Sequence, residues 1–144
     1  ENIRRVSMMT IAVTDIERLS DHAENIVEYV EAMTSRHAVM SDTAVAELRH
    51  MADDTLEAVD LSLHIFANED YSQLNRIEDL ESHIDDQEDE LVSNHVERLM
   101  NEGCDPVAGV IFCDLVTDLE RCADHAINIS YALKERPQEF KYNF

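Results

Sequence analysis

The sequence predicts an all-α protein, an antiparallel up-and-down bundle of four long helices. Three observations predict it. Gly and Pro number only two each in 144 residues, and Ala, Leu, Glu, Met and Arg are abundant, a composition that favours helix. Apolar residues recur at spacings of three and four over segments near thirty residues long, without the alternation of a strand. The breaks between those segments are short, which favours antiparallel neighbours over a single long coiled coil.

The first helix reads from about 2 to 35, with Met9, Ala12, Val13, Ile16, Leu19, Ala23, Ile26 and Val30 in helical register. Ser41-Asp42 is a capping pair. The second helix follows to about 67, with Leu48, Met51, Ala52, Leu56, Val59, Leu63 and Phe66 on one face. Asn68-Glu69-Asp70 forms a polar joint. The third helix runs from about 71 to 101, with Leu74, Ile77, Leu80, Ile84, Leu91 and Leu99 as its stripe, and Gly103 supplies a C-terminal stop. Asp105-Pro106 is a cap followed by proline in the first turn. The fourth helix runs to about 135, where Pro137 bars its continuation. These boundaries define a helical domain over 1–137 and a tail over 138–144 that is frayed or docked on a neighbour. The first residue, Glu1, already reads as helix and is no initiator Met, which suggests a piece of a longer chain.

The net charge is −21, from 32 acidic against 11 basic residues. That sign excludes nucleic acid as a partner, because its affinity comes from Lys and Arg neutralising phosphates. It also argues against docking on anionic lipid. It suits a solvated acidic surface and cation binding. Cys104, Cys113 and Cys122 lie nine apart, with no Cys-x-x-Cys. They read as reduced structural thiols, consistent with a cytosolic compartment. No apolar run reaches the ~20 residues of a membrane span, so the segment is not expected to insert in a bilayer.

One pattern stands out. Thr14-Asp-Ile-Glu-Arg-Leu-Ser-Asp-His-Ala-Glu-Asn-Ile26 recurs 103 residues later as Thr117-Asp-Leu-Glu-Arg-Cys-Ala-Asp-His-Ala-Ile-Asn-Ile129. From Val13 to Ile26, ten of fourteen positions are identical, and the preserved set includes Asp, Glu, Arg, Asp, His and Asn. A packing repeat would preserve chiefly apolar positions, so the pattern points to a site. On a helical wheel Phe112, Leu115, Leu119, Cys122, Ala126, Ile129 and Leu133 form the apolar arc of the fourth helix. Asp114, Asp118, Arg121, His125 and Asn128 face away from it. Glu120 and Asp124 stand at i and i+4 at the arc's border, where like charges repel. On the third helix Glu81 and Glu88 fall in the apolar stripe and Asp85 at its edge. A carboxylate facing a core is costly unless paired or bound to metal. The candidates for relief are a cation between Glu81/Asp85 and Glu120/Asp124, an ion pair with Arg18, Arg76 or Arg121, or rotation into solvent. Oxygen donors suit hard cations. His22 and His125, one residue off the acidic face, read as outer-face residues or as partners of ligands.

A ferritin-like di-iron bundle needs Glu-x-x-His on two helices. Glu47-Leu-Arg-His50 occurs once, and His50 lies away from the apolar face, so that reading ranks low.

The two motifs, with their Glu-Arg-x-x-Asp-His-Ala-x-Asn-Ile signature, resemble the Glu/Asp-x-x-x-Asp motif of the PhoU family. "IEDLESHIDDQEDEL" is similar to the Asp-bearing middle helix of that family, with Asp85 at its most characteristic position. "GCDPVAGVIFCDLVTDLERCADHA" resembles the version at the C-terminus of bacterial Na⁺/phosphate-cotransporter-related membrane proteins. The resemblance implies a bundle built of three-helix repeats: the last helix of one repeat, then a complete second one. It implies a non-enzymatic regulatory domain in phosphate homeostasis, on the cytoplasmic face of a membrane, with the transporter portion of the same protein and a second copy (a homodimer) as partners. It implies metal candidates at Glu120 and Asp124, with Asp85 and Glu81 opposite, for iron, manganese, magnesium or zinc, and no organic cofactor. Glu17 and Asp21 are the equivalents in the first motif. Their two partner helices would lie upstream of Glu1 or come from another subunit. Two alternatives belong to other classes. A carboxylate-bridged metalloenzyme would show oxidase or hydrolase turnover, although the chain has no nucleophile constellation or Gly-rich phosphate loop. A ligand-free dimerisation module would tolerate loss of Glu120 and Asp124.

Overall fold

A computed structural model describes residues 2–101 and 103–134. All regular structure among them is helical: α1 (Asn2–Ser35), α2 (Asp42–Asn68), α3 (Leu74–Asn101) and α4 (Pro106–Tyr131). The local signals act as the sequence predicts. Ser41 caps α2 by accepting from the Ala44 N–H, and Asp105 caps α4 by accepting from Val107 and Ala108. Gly103 takes the left-handed φ of +68° that ends α3. Two details differ. A 3₁₀ turn over Tyr71–Gln73, capped by Asp70, precedes α3. The fourth helix stops at Tyr131, about four residues before its expected end. Pro137 and the tail over 138–144 lie outside the described residues.

The helices alternate in direction. α2, α3 and α4 close around the main core, in which Met51, Ile84, Phe112 and Val116 are essentially inaccessible. α4 is the hub: all three other helices pack on it, while among the described helices α1 packs on α4 alone. Beyond that, the Arg5 guanidinium reaches Glu69, just past α2, at 2.6 Å.

The buried faces of α2 and α3 are rotated from their expected positions. In α2 the buried line is Ala44, Met51, Thr55, Ala58, Ser62 and Ile65, while Leu56 and Leu63 are exposed. Thr55 and Ser62 hide this seam from a hydropathy reading. Their hydroxyls enter the core because they donate to the carbonyls of Met51 and Val59. In α3 the buried line includes Gln87, His95 and Arg98, and Leu99 is exposed. Arg98 is admitted by a 2.8 Å ion pair with Glu47 and by stacking over Phe112 at 5.2 Å. His95 stacks on the same ring at 5.0 Å. Burial, then Arg98, lowers its pKa and keeps it neutral. A Cβ at Gly109 would lie 2.9 Å from His95 Nε2, so glycine is what lets that ring approach α4.

α1 carries two seams one residue apart. Met8, Ala12, Asp15, Leu19, His22, Ile26, Tyr29 and Met33 form the covered one, against α4. Met9, Val13, Ile16, Ala23, Val27 and Val30 form a second seam, which is exposed. The 103-residue offset maps this second seam onto Phe112, Val116, Leu119 and Ala126, on the line of α4 that packs into the main core, then onto the buried Ser130 and, past the end of α4, Leu133. The single apolar face expected of the first helix is therefore two part-faces, and most of its named residues lie on the open one.

Candidate functional site

α3 and α4 run antiparallel with their acidic borders facing each other. Glu81 and Asp85 sit one turn apart on α3, and Glu120 and Asp124 one turn apart on α4. One oxygen from each of Glu81, Asp85 and Asp124 lies within 4.8 Å of the others, and no other trio of His, Cys, Asp or Glu among the described residues converges this closely. Glu120 lies against this group and is only 8% exposed. Its pKa is pushed up to about 7, by burial first and then by Asp124, with Glu88 and Asp85 adding to the rise and Arg121 opposing it. Glu81 is raised too, by burial, by Asp85 and by Asp124.

The expected ion pairs give little relief. Arg121 approaches Glu120 at 3.5 Å and Asp124 at 3.3 Å from an exposed position, and such contacts contribute little. Arg76 pairs elsewhere, with Glu57 at 2.6 Å. The flanks are tied by hydroxyls: Thr117 donates to Glu88 at 3.0 Å, and Tyr131 donates to Glu78. Glu81 and Glu88 sit at the rim of the α3 stripe, not within it, and Asp85 is exposed. The structure thus brings three of the six sequence candidates together and sets a fourth, Glu120, beside them. It leaves Glu17 and Asp21 exposed on α1, outside any converging trio of described residues.

The rest of the repeated motif has a different task. Asp118 and His125 do not face away from the protein as the wheel suggests. Asp118 is 7% exposed, and its carboxylate accepts from His22 Nδ1 at 2.7 Å. Reciprocally, Asp15 is 7% exposed and accepts from His125 Nδ1 at 3.0 Å. The two imidazoles stack at 5.5 Å between these bonds. Asp15 and His22 are seven apart, as are Asp118 and His125, so each pair shares one helix face. Two copies of such a face, laid antiparallel, complement each other about a local two-fold axis. Packing therefore does require polar identity at two of the preserved positions, four residues in the two copies, contrary to the expectation that only a site would. The signal was present as the seven-residue Asp-to-His spacing, but it is visible only if both copies are imagined touching. Tyr29 lies beside this cluster, its pKa raised by burial and by Asp118.

The three thiols are free, and burial pushes Cys122 up to about 11, which makes it an inert core residue. No helix among the described residues is long and apolar enough to cross a membrane.

Comparison with known proteins agrees with this geometry. Neither the curated proteins nor the solved structures gave a match to the chain. The PhoU domain profile matches residues 48–133, more than half of the chain, covering most of α2 and all of α3 and α4, including the whole acidic group. The first motif, on α1, lies outside the matched stretch. The chain belongs to the PhoU domain family.

Proposed function

We propose that this chain is a regulatory domain of phosphate homeostasis whose signal passes through a cation held between α3 and α4. Family membership supports the regulatory role in phosphate homeostasis. The observation that carries the metal reading is the convergence of Glu81, Asp85 and Asp124 beside the buried Glu120. Three or four oxygen donors without sulfur or imidazole favour a hard cation, manganese, magnesium or iron, over zinc. A bound cation supplies charge neutralisation: it turns four mutually repelling carboxylates into a bridge that fixes α3 against α4. Phosphate itself is a poor direct ligand for a surface of net charge −21.

In this proposal the domain works at the cytoplasmic face of a membrane, as part of a Na⁺/phosphate-cotransporter-related protein, and is not an enzyme. The exposed seam of α1 is the surface for its partner, the transporter portion or a second copy. By the repeat it corresponds to a face that is covered in α4. Regulation requires the cation to favour one of two arrangements of that contact.

The test is phosphate accumulation in cells that carry Glu81→Gln/Asp124→Asn in the natural protein, moved from phosphate-poor to phosphate-rich medium. The expected result is accumulation outside the wild-type range with protein abundance unchanged. Accumulation equal to wild type would remove the acidic group from the regulatory path.

A further inference from the structure

A second constellation lies on α2 and α3 and shares no residue with the acidic group. His50 and Asp54 stand at i and i+4 on α2. His83 and Gln87 stand at i and i+4 on α3. All four meet at one atom: Asp54 Oδ2 is 3.3 Å from His50 Nδ1, 3.5 Å from His83 Nε2 and 2.8 Å from Gln87 Nε2. Gln87 Nε2 also lies 2.9 Å from His50 Nδ1.

The hydrogen bonding of this cluster is incomplete. Gln87 is only 6% exposed. Its amide must turn its N–H toward Asp54, because the flipped amide would set oxygen against carboxylate at 2.8 Å. His50 Nδ1, facing the same N–H, then accepts and presents a lone pair, not a proton. The Gln87 amide thus takes up the His50 Nδ1 lone pair and one lone pair of Asp54 Oδ2, while the same carboxylate oxygen also lies 3.5 Å from His83 Nε2. Gln87 Oε1 meanwhile is buried with no hydrogen-bond partner. Buried polar atoms are seldom left unpartnered, and a carboxylate oxygen with two imidazoles within 3.5 Å offers a cation three donors once the His50 ring turns away from the Gln87 amide.

We propose that His50, Asp54 and His83 bind a divalent transition-metal ion, with Gln87 positioning the carboxylate from behind. Two imidazole nitrogens and one carboxylate oxygen select borderline ions of the zinc, nickel or copper type, with water completing the shell. The donor chemistry differs from the all-oxygen group between α3 and α4, so the two places take different metals. The two imidazole donors stand more than 4.8 Å apart. Their side chains are 70% and 54% exposed, which leaves them free to rotate onto an ion seated at Asp54. Gln87 and Asp54 are the fixed part of the site and the histidines its closing part. The second-sphere hydrogen bond from Gln87 fixes which carboxylate oxygen is offered.

The experiment is calorimetric titration of the chelator-stripped chain with Zn²⁺, with sedimentation to read the oligomeric state. The expected result is one Zn²⁺ per chain without a change in oligomeric state, retained in Glu81→Gln/Asp124→Asn. Binding should weaken at least about tenfold in each of His50→Ala, His83→Ala and Asp54→Asn. Both histidines are exposed, so their variants should keep the wild-type melting temperature in chelator. Absence of Zn²⁺ binding in the wild type would overturn the proposal. So would binding unchanged by the histidine variants, binding lost only in the acidic variant, or Zn²⁺ that instead joins two chains.

Discussion

Removing both histidines of the α1–α4 contact, as His22→Ala/His125→Ala, is expected to cost about 2–4 kcal/mol, because each leaves a buried aspartate without its partner. Asp15 and Asp118 are each 7% exposed, and Oδ2 of Asp118 already lacks a hydrogen bond. Losing the Oδ1 bond would take away the carboxylate's imidazole partner and leave it the neighbouring Tyr29 hydroxyl. Among the described helices α1 packs on α4 alone, so these bonds, the apolar seam around them and the exposed Arg5–Glu69 pair are what hold it in register. The loss should therefore be local: hydrogen exchange of the α1 amides should accelerate toward that of an open chain, while α2, α3 and α4 keep most of their protection. Further replacement of both aspartates by Ala should recover part of the loss, as expected when a pair is removed whole. Unchanged exchange in α1 would mean that the reciprocal bonds contribute nothing to holding this helix.

Glu120→Gln is expected to act in the opposite direction in metal-free protein. The folded-state pKa of Glu120 is raised from 4.5 to about 7, chiefly by burial. The folded protein therefore binds a proton that the unfolded chain has already released between those values. Stability must fall as pH rises from about 4.5 to about 7, and it stays low above that window. Glutamine removes the penalty while keeping the shape. Its melting temperature at pH 8 in chelator should exceed the wild type by several degrees, the equivalent of about 1–2 kcal/mol, and the difference should vanish near pH 4.5. Hard divalent cations should reverse the order, because they favour the charged carboxylate that only the wild type can offer. A wild type whose chelated stability is flat from pH 5 to pH 8 would contradict the burial of this charge.

The sequence made the element order legible because each helix end carries its own chemistry. Ser41, Gly103, Asp105 and Pro106 act locally, and the structure uses each of them as expected. Helix faces were less legible, for a definite reason. Thr55, Ser62, Gln87, His95 and Arg98 are buried through hydrogen bonds, an ion pair and ring stacking that hydropathy does not count. α4 defeated the wheel in another way: three neighbours leave it only a narrow exposed line through Val110, Asp114, Thr117 and Arg121, and Asp118 and His125 fall on the side that α1 covers. The acidic group was legible because i,i+4 carboxylates on two helices need only antiparallel register to meet. The repeat pointed to a site, but part of its identity belongs to the contact between the two copies. Glu17 and Asp21 keep the motif without the opposing acids that Glu81 and Asp85 supply to Glu120 and Asp124.

Glu81, Asp85, Glu120 and Asp124 are proposed to hold a hard cation between α3 and α4. The most direct measurement is Mn²⁺ titration of the chelator-stripped chain, followed by electron paramagnetic resonance of free Mn²⁺, with Glu81→Gln/Asp124→Asn run beside the wild type. The expected result is saturable, stoichiometric depletion of free Mn²⁺ by the wild type, accompanied by a rise in melting temperature, and loss of both in the variant. Equal depletion by the two proteins, or none by the wild type with Mg²⁺ and Fe²⁺ also leaving its stability unchanged, would contradict it.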